Sequence, residues 1–446
     1  MCGAGQVRSL CMTDLPPPDE PVPSARALLK ERDYLLFWGT RWTGSFASQI
    51  QSVAMGWQMY ALARLERSVE ESAFLVGMIG LAAFVPVFLL TLPAGEAADR
   101  YDRKKVLLLC LSGEIISVMT LALATVNGHA SPALLLVIAA LFGASRAFFA
   151  PANTALGPML VPRKLLPRAI AWNSLAWQSA SIAGPAAAGF LLGRSTETAY
   201  FTAFALYGLS AVLVFSIRGN AKPEVRPGSR WQLMKEGLAY VWRQKIVFGA
   251  ISLDLFAVLL GGATALLPVF ARDVLVIEEA RYVLLGFIEY DFTRAAAFGL
   301  LRSGPAIGAT AVALWLAANP IRAKAGLFMF GGVAVFGLAT IVFGVSKSLW
   351  LSVAALAVLG GADMLSVFVR QTLVQLVTPD HMRGRVASVS SVFIGASNEL
   401  GEFESGVVAR ILGPVGAAIF GGVGAVMVTG VWAKLFPDLR RADRLE

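Results

Sequence analysis

The 446-residue chain predicts an all-α membrane protein with twelve transmembrane helices in two six-helix halves, on three observations. First, 57% of its residues are hydrophobic and only 15% charged, whereas soluble domains carry about 25% charged residues. Second, apolar stretches of the length a helix needs to cross a bilayer, about 20 residues, recur twelve times between short polar breaks. Third, lysine and arginine fall on alternate breaks. With the N-terminus placed in the cytoplasm, 26 of the 38 basic residues lie in inside segments, 7 in outside segments and five within spans. That is the bias that sets membrane orientation.

The spans are expected at 34–62, 73–93, 106–126, 132–158, 168–192 and 198–217, then at 246–271, 297–318, 326–345, 349–377, 386–411 and 414–436. Residues 1–33 form a Pro- and Asp-rich cytoplasmic tail, 34–218 the first bundle, 219–245 a linker, 246–436 the second bundle and 437–446 a closing tail. Within the linker, Trp231 to Trp242 repeats apolar residues at helical spacing, as an amphipathic helix on the membrane surface does. Residues 273–294 are an outside connection with five acids, Asp273, Glu278, Glu279, Glu289 and Asp291. Its apolar core, 282–288, is too short to span and reads as a dispensable interfacial helix, or as a lid over the outer mouth.

Several functions are excluded by the same reading. The basic charge marks topology, so nucleic acid is not an expected partner. Cys2, Cys11 and Cys110 have no disulfide or metal spacing, and His129 and His381 stand apart from any other soft ligand. No cofactor, metal site or catalytic set is expected, and no phosphate-binding Gly-x-x-x-x-Gly-Lys motif would let ATP drive the chain. It is not expected to be an enzyme.

The sharpest motif joins spans 2 and 3: Pro93-Ala-Gly-Glu-Ala-Ala-Asp-Arg-Tyr-Asp-Arg-Lys-Lys105. Gly95 permits close helix approach. Asp99 suits a helix N-terminus, where the dipole favours an anion. The basic cluster suits acids or anionic lipid. With these residues the chain resembles the major facilitator superfamily, whose loop signature is Gly-x-x-x-Asp-Arg-x-Gly-Arg-Lys. Gly95, Asp99, Arg100, Arg103 and Lys104 match, and Asp102 replaces the usual glycine. That acid is similar to the branch of the enterobactin exporter and macrolide efflux proteins, as are Arg146-Ala-Phe-Phe-Ala-Pro-Ala152 and Gln375-Leu-Val-Thr-Pro-Asp-His-Met-Arg-Gly-Arg385. The span 5 antiporter motif keeps Gly184, Pro185 and Gly189, with Ala180 and Ala188 in place of glycines. The resemblance covers residues 30–440. It implies two halves related by a pseudo-twofold axis around a midplane site, and a loop that latches the outward-open state.

Ionisable residues at bilayer depth cost about 2.5–3.5 kcal/mol each on insertion scales, so each is a functional hypothesis. At 1.5 Å per residue, Asp254 lies roughly 13 Å into span 7. Glu114 and Asp363 are also central, with Arg41 and Arg370 in the inner half and Arg146 in span 4. Asp363 and Arg370, two turns apart, are candidates to pair along one helix. In span 11, Glu399 and Glu402 share a face about 60° apart, with Asn398 beside Glu402, while Glu404 points about 160° from Glu402. Glu399 and Glu402 are therefore the candidate proton carriers, against the alternative of pairing with Arg410 or another arginine. Trp42, Trp57, Tyr60, Phe148, Phe149, Trp172 and Trp177 either pack or wall a site for a bulky substrate.

The expected function is export of an amphipathic small molecule, siderophore-like or drug-like, from a bacterial cytoplasm across the inner membrane in exchange for protons. The chain would act as a monomer among membrane lipids, with both termini cytoplasmic. The alternatives are a lysophospholipid flippase on the same fold, which needs a cleft between spans 5 and 8, and a non-transporting sensor.

Overall fold

The computed structural model describes residues 25–219, 230–277, 280–284, 288–319, 321 and 323–441. The first helices are α1 (Arg32–Ala63), α2 (Val69–Arg100), α3 (Arg103–Val126), α4 (Pro132–Leu156), α5 (Leu166–Arg194) and α6 (Thr196–Phe215). After α7 (Arg230–Arg243) and α8 (Lys245–Leu260) come α9 (Arg294–Ala318), α10 (Ala325–Val345), α11 (Leu349–Val377) and a helical stretch from 380 to 435. That stretch turns at Gly413, whose φ of 75° and ψ of 166° are not helical. We call its arms α12 (380–412) and α13 (414–435). Glycine followed by Pro414 reverses the chain with no loop.

The breaks carry the chemistry that starts helices. Ser68, Ser131, Ser195 and Thr293 each accept a hydrogen bond from a first-turn amide, at 3.2–3.3 Å. Asp102 accepts one from Lys104 at 2.9 Å. The acid that departs from the superfamily signature is thus the N-cap of α3, satisfying a donor that glycine would leave to water. The next two residues close other helices: Arg103 donates to the Ala155 carbonyl at the end of α4, and Lys104 to the Phe215 and Ile217 carbonyls at the end of α6. Arg100 pairs with Glu96, one turn earlier on α2, at 2.7 Å.

Nine helical segments among the described residues are apolar and long enough to cross a membrane, the last containing both α12 and α13. The helices gather in two groups. In the first, α1 packs on α5 and α6, α3 on α4 and α6, and α2 on α4; in the second, α11 packs on α9 and α10, and α8 and α10 on α12–α13. Polar side chains inside the first group bond one another, since lipid offers no alternative partner. Tyr207 donates to Gln51 at 2.9 Å, Tyr200 to Gln58 at 2.7 Å, and Gln58 to Thr125 at 2.8 Å.

Two seams join the groups, α2 against α12 and α5 against α9. Both are backbone contacts that only glycine permits. A Cβ on Gly80 would fall 2.7 Å from the Glu399 carbonyl, and one on Gly77 2.8 Å from the Gly406 Cα. A Cβ on Gly189 would meet the Ala295 carbonyl at 2.7 Å. A clasp lies at the same end of the molecule. The Tyr60 hydroxyl donates to Asp273, Arg64 lies 3.8 Å from that carboxylate, and Trp57 stacks on Phe298 beneath Arg272.

Three elements differ from expectation. The seventh span is not continuous: α8 stops at Gly261-Gly262, and a 3-10 turn (Ala263–Leu266), one helical turn (Leu267–Val269) and a π-turn (Phe270–Val274) follow. Gly261 lies against the Phe336 ring and Gly262 against the Gly401 backbone, so the break is where two helices crowd the chain. The described residues between 273 and 294 do not form an interfacial helix. They hold an antiparallel hairpin, β1 (Ala280–Leu284) and β2 (Ile288–Phe292), with Tyr282 in register with Tyr290. Aromatic and β-branched residues at alternate positions explain the strands, a local exception in an otherwise helical membrane chain. Glu278 and Glu279 lie outside the described residues. Finally, α7 docks on protein: Glu236 pairs with Arg385 at 2.6 Å and Tyr240 donates to the Val377 carbonyl, while Trp242 is 71% exposed.

Two expected outcomes follow from this packing. A Cβ on Gly308 would sit 1.7 Å from the Ala357 carbonyl, whereas nothing lies within 4 Å of that position on Gly331. Gly308→Ala is expected to force α9 from α11 and abolish a monodisperse peak in size-exclusion chromatography. Gly331→Ala is expected to leave it intact and raise stability by up to about 1 kcal/mol, through helix propensity. In the capping loop, Lys104→Ala should cost about 1–3 kcal/mol as charged hydrogen bonds are lost. Lys105→Ala, at an exposed site, should leave the thermal midpoint unchanged.

Candidate functional site

Between the two groups lies a cavity of about 740 Å³, within the ~300–1,000 Å³ of sites that take drug-sized ligands. Its first wall is α1, which presents Arg41, Ser45, Ser48, Gln49 and Ser52. Their spacing places them along one helix face. These polar side chains also explain why α1 falls below the hydropathy of the nine segments above. From α3 comes Glu114, from α4 Phe142, Arg146, Phe149 and Asn153, and from α5 Trp177, Gln178 and Ser181. The opposite wall is built from the broken segment after α8 (Thr264), from α9 (Arg302), α10 (Phe336) and α11 (Asp363), and from Asn398, Glu399 and Glu402 of α12.

Opposite charges meet across this space. Arg146 Nη1 lies 2.7 Å from Glu399 Oε1, an ion pair that links α4 of the first group to α12 of the second. The same guanidinium stands 5.7 Å from the Phe142 ring centroid. Glu402 accepts a hydrogen bond from Thr264 at 3.2 Å and lies 3.6 Å from Arg302. Gly401, between the two glutamates, packs on the Val258 carbonyl and lets the break at Gly262 approach. Ser405 bonds the Gly262 carbonyl at 2.9 Å. The glycines of α2 and the broken segment thus hold α12 from both sides, and its two acids emerge into the cavity between them. Glu114 is buried beside Ser145 and Arg146, with its Oε2 lacking a hydrogen-bond partner.

Sequence reasoning brings Glu399 and Glu402 to one site, and the structure places both there, with Glu404 off the cavity beside Ser405. Glu399 pairs with Arg146 rather than with Arg410, which stacks over Phe74. Asp254 and Arg370 sit elsewhere. They form a buried ion pair, α8 to α11, with side chains 8% and 3% exposed. Arg370 therefore takes Asp254 as its partner in place of Asp363, because the neighbouring helix is nearer than two turns along its own. Asp363 borders both the main cavity and the small pocket beside Asp254.

The span 5 motif acts through packing: Gly184 admits Gln49 of α1, while Pro185 and Gly189 lock onto Gly299 of α9. This closes the α5–α9 seam along that stretch. Two kinds of residue escaped the sequence reading. Arg302 was countable as an intramembrane arginine, and that count was its signal. Thr264 and the serines of α1 had none, since hydroxyls in apolar helices are common.

A family model described as transmembrane secretion effector matches residues 23–446. The multidrug efflux pump Tap of Mycobacterium tuberculosis (strain ATCC 25618 / H37Rv) is 26% identical over 372 residues, covering 80% of this chain and 84% of that protein. The enterobactin exporter EntS of Citrobacter koseri is 28% identical over 371 residues, covering 82% and 83%. A Na(+), Li(+), K(+)/H(+) antiporter of Planococcus maritimus is 24% identical over 359 residues, covering 75% and 82%. Among solved structures, the POT family transporter PepTSo superposes with a TM-score of 0.72 at 10% identity, over 92% of this chain and 98% of that one. At that identity the likeness is one of fold. A family model spanning nearly the whole chain, on a helical membrane architecture with the Gly95–Lys104 signature, establishes that the chain is a transporter-type membrane protein belonging to the major facilitator superfamily.

Proposed function

We propose that this protein is a secondary active exporter that moves an amphipathic small molecule out of the cytoplasm by proton antiport with alternating access. The Arg146–Glu399 pair carries the reading. It crosses the cavity from one helix group to the other, so it can exist only in states that bring α4 and α12 together. A proton on Glu399 removes the anion that holds Arg146, and loss of the proton restores it. Arg302, Glu402 and Glu114 are the other charged groups facing this pair. The similarity to an efflux pump, a siderophore exporter and a cation/proton antiporter supports both export and proton coupling.

In this reading the chain spans the bacterial inner membrane twelve times as a monomer, with both termini cytoplasmic. The nine apolar segments, with α12 and α13 separated at Gly413, are joined by the more polar α1 and α5. Bundles 34–218 and 246–436 form the pseudo-twofold halves, and α7 fastens the linker to the second. The hairpin end then faces outside, and its clasp and glycine seams hold the outer mouth shut. The Asp99 loop latches the opposite state, in which the inner ends close. Asp254 and Arg370, buried and mutually neutralised, serve stability, while Glu399, Glu402 and Asp363 face the transport path.

The coupling assignment is tested in proteoliposomes with an imposed pH gradient. Glu399→Gln mimics the protonated acid permanently, so uphill export should fall to background while passive exchange of substrate persists. Undiminished uphill export by Glu399→Gln and by the Glu399→Gln/Glu402→Gln double variant would move the assignment to a facilitated carrier.

The structural pair gives a separate outcome. Removing one partner leaves a buried charge, which costs about 3–5 kcal/mol, whereas replacing both with apolar residues is close to neutral. Asp254→Leu should therefore lower the thermal midpoint and the yield of folded protein. Asp254→Leu/Arg370→Met should recover both, along with pH-driven export.

A further inference from the structure

Three arginines reach the cavity wall, and two have acids to face. Arg146 has Glu399 and Arg302 has Glu402, each within 4 Å. Among the described residues no carboxylate comes that close to Arg41, and its Nε is buried without a hydrogen-bond partner. The cavity acids are committed elsewhere: Glu114 lies beside Arg146, and Asp363 beside the Asp254–Arg370 pair. A guanidinium held at this depth without a counter-charge is costly, and nothing in the packing of α1 requires it.

Arg41 also begins a stripe. Ser45, Ser48 and Ser52 follow it at i+4, i+7 and i+11, one face of α1 extending over ~16 Å of cavity wall. Hydroxyls in helices commonly bond back to the preceding turn, as Thr40 and Thr43 do here to Leu36 and Gly39. Ser45 and Ser52 make no such bond and line the cavity, while Ser48 between them bonds the Tyr207 side chain. Gln178 and Ser181 of α5 border the same space.

We infer that Arg41 is the docking point for an anionic group on the exported molecule, a carboxylate or similar delocalised oxyanion, and that the α1 hydroxyl stripe holds its polar remainder. A planar guanidinium presents paired donors that match a carboxylate with two parallel hydrogen bonds. The substrate class is therefore an organic anion rich in hydrogen-bonding groups, not a lipophilic cation. Phe149 and Trp177 supply the apolar surface for its ring or chain portion. This inference rests on the exporter reading for the word substrate, but the binding it describes requires neither a gradient nor a direction.

Fluorescein and rhodamine 6G share a xanthene core and carry opposite charges at pH 8, so they separate charge from size. Binding of each to the purified full-length protein in detergent is measured by fluorescence anisotropy. The wild type should bind fluorescein at least about tenfold more tightly than rhodamine 6G, as expected for a charged hydrogen bond. Arg41→Gln should lose that preference through fluorescein alone, and Arg41→Lys, which keeps the charge without the fork, should fall between. Thermal midpoints of both variants report folding, and Arg41→Lys decides the matter should Arg41→Gln unfold. Equal binding of the two dyes, binding of neither, or equal loss of both in Arg41→Gln overturns the assignment. Because the assay contains no membrane or gradient, its failure leaves the exporter reading standing. Conversely, loss of pH-driven transport in proteoliposomes leaves the binding result untouched.

Discussion

The approach of α2 to α12 at Gly77, Gly80 and Gly406 governs the rest of this molecule, because it sets where the acids of α12 can stand. Side chains on those glycines would force the helices apart, with a Cβ at Gly80 only 2.7 Å from the Glu399 carbonyl. The 2.7 Å pair between Glu399 and Arg146 depends on that spacing. In lipid no hydrophobic force drives helices together, so contact must come from backbone packing and interhelical polar bonds. Here the two work in sequence: glycines bring the helices close, and the ion pairs then give the interface its chemistry.

The same constraint explains how buried charges are distributed. The Asp254–Arg370 pair lies within one helix group, is almost fully enclosed and joins α8 to α11. The Arg146–Glu399 pair lies between groups and on the cavity wall. A pair inside one helix group ties that group together, whereas a pair across the cavity ties one group to the other. A carboxylate and an arginine thus make the same kind of contact in two settings, one enclosed within a group and one on the cavity wall between groups.

Much of the helical layout was legible as hydropathy, and except for α8 the helices begin and end within about seven residues of the expected stretches. The break at Gly261-Gly262 was not, because its cause is the Phe336 ring and the Gly401 backbone, both far away in the chain. The hairpin at 280–292 was hidden for another reason, since its short apolar core was compatible with an interfacial helix and only alternation of residue type distinguished a strand. The site was half legible. Periodicity put Glu399 and Glu402 on one face, but the partners of Arg146 and Arg370 depend on which helices become neighbours. Arg302 needed only the rule that an arginine at bilayer depth has work to do. The α1 serines needed the cavity itself.

The turn at Gly413 bears on biogenesis. From Ile411 through Ala433 the chain carries no charged residue, and the turn between α12 and α13 is Leu412-Gly413-Pro414-Val415 with no polar loop. A connection of this kind presents almost nothing that must be stripped of water to cross the bilayer. The two helices can therefore enter the membrane together as a preformed helical hairpin, α13 following α12 without a separate translocation step. α13 is then delivered by its neighbour, and its insertion depends less on the insertion machinery than on α12 being in place.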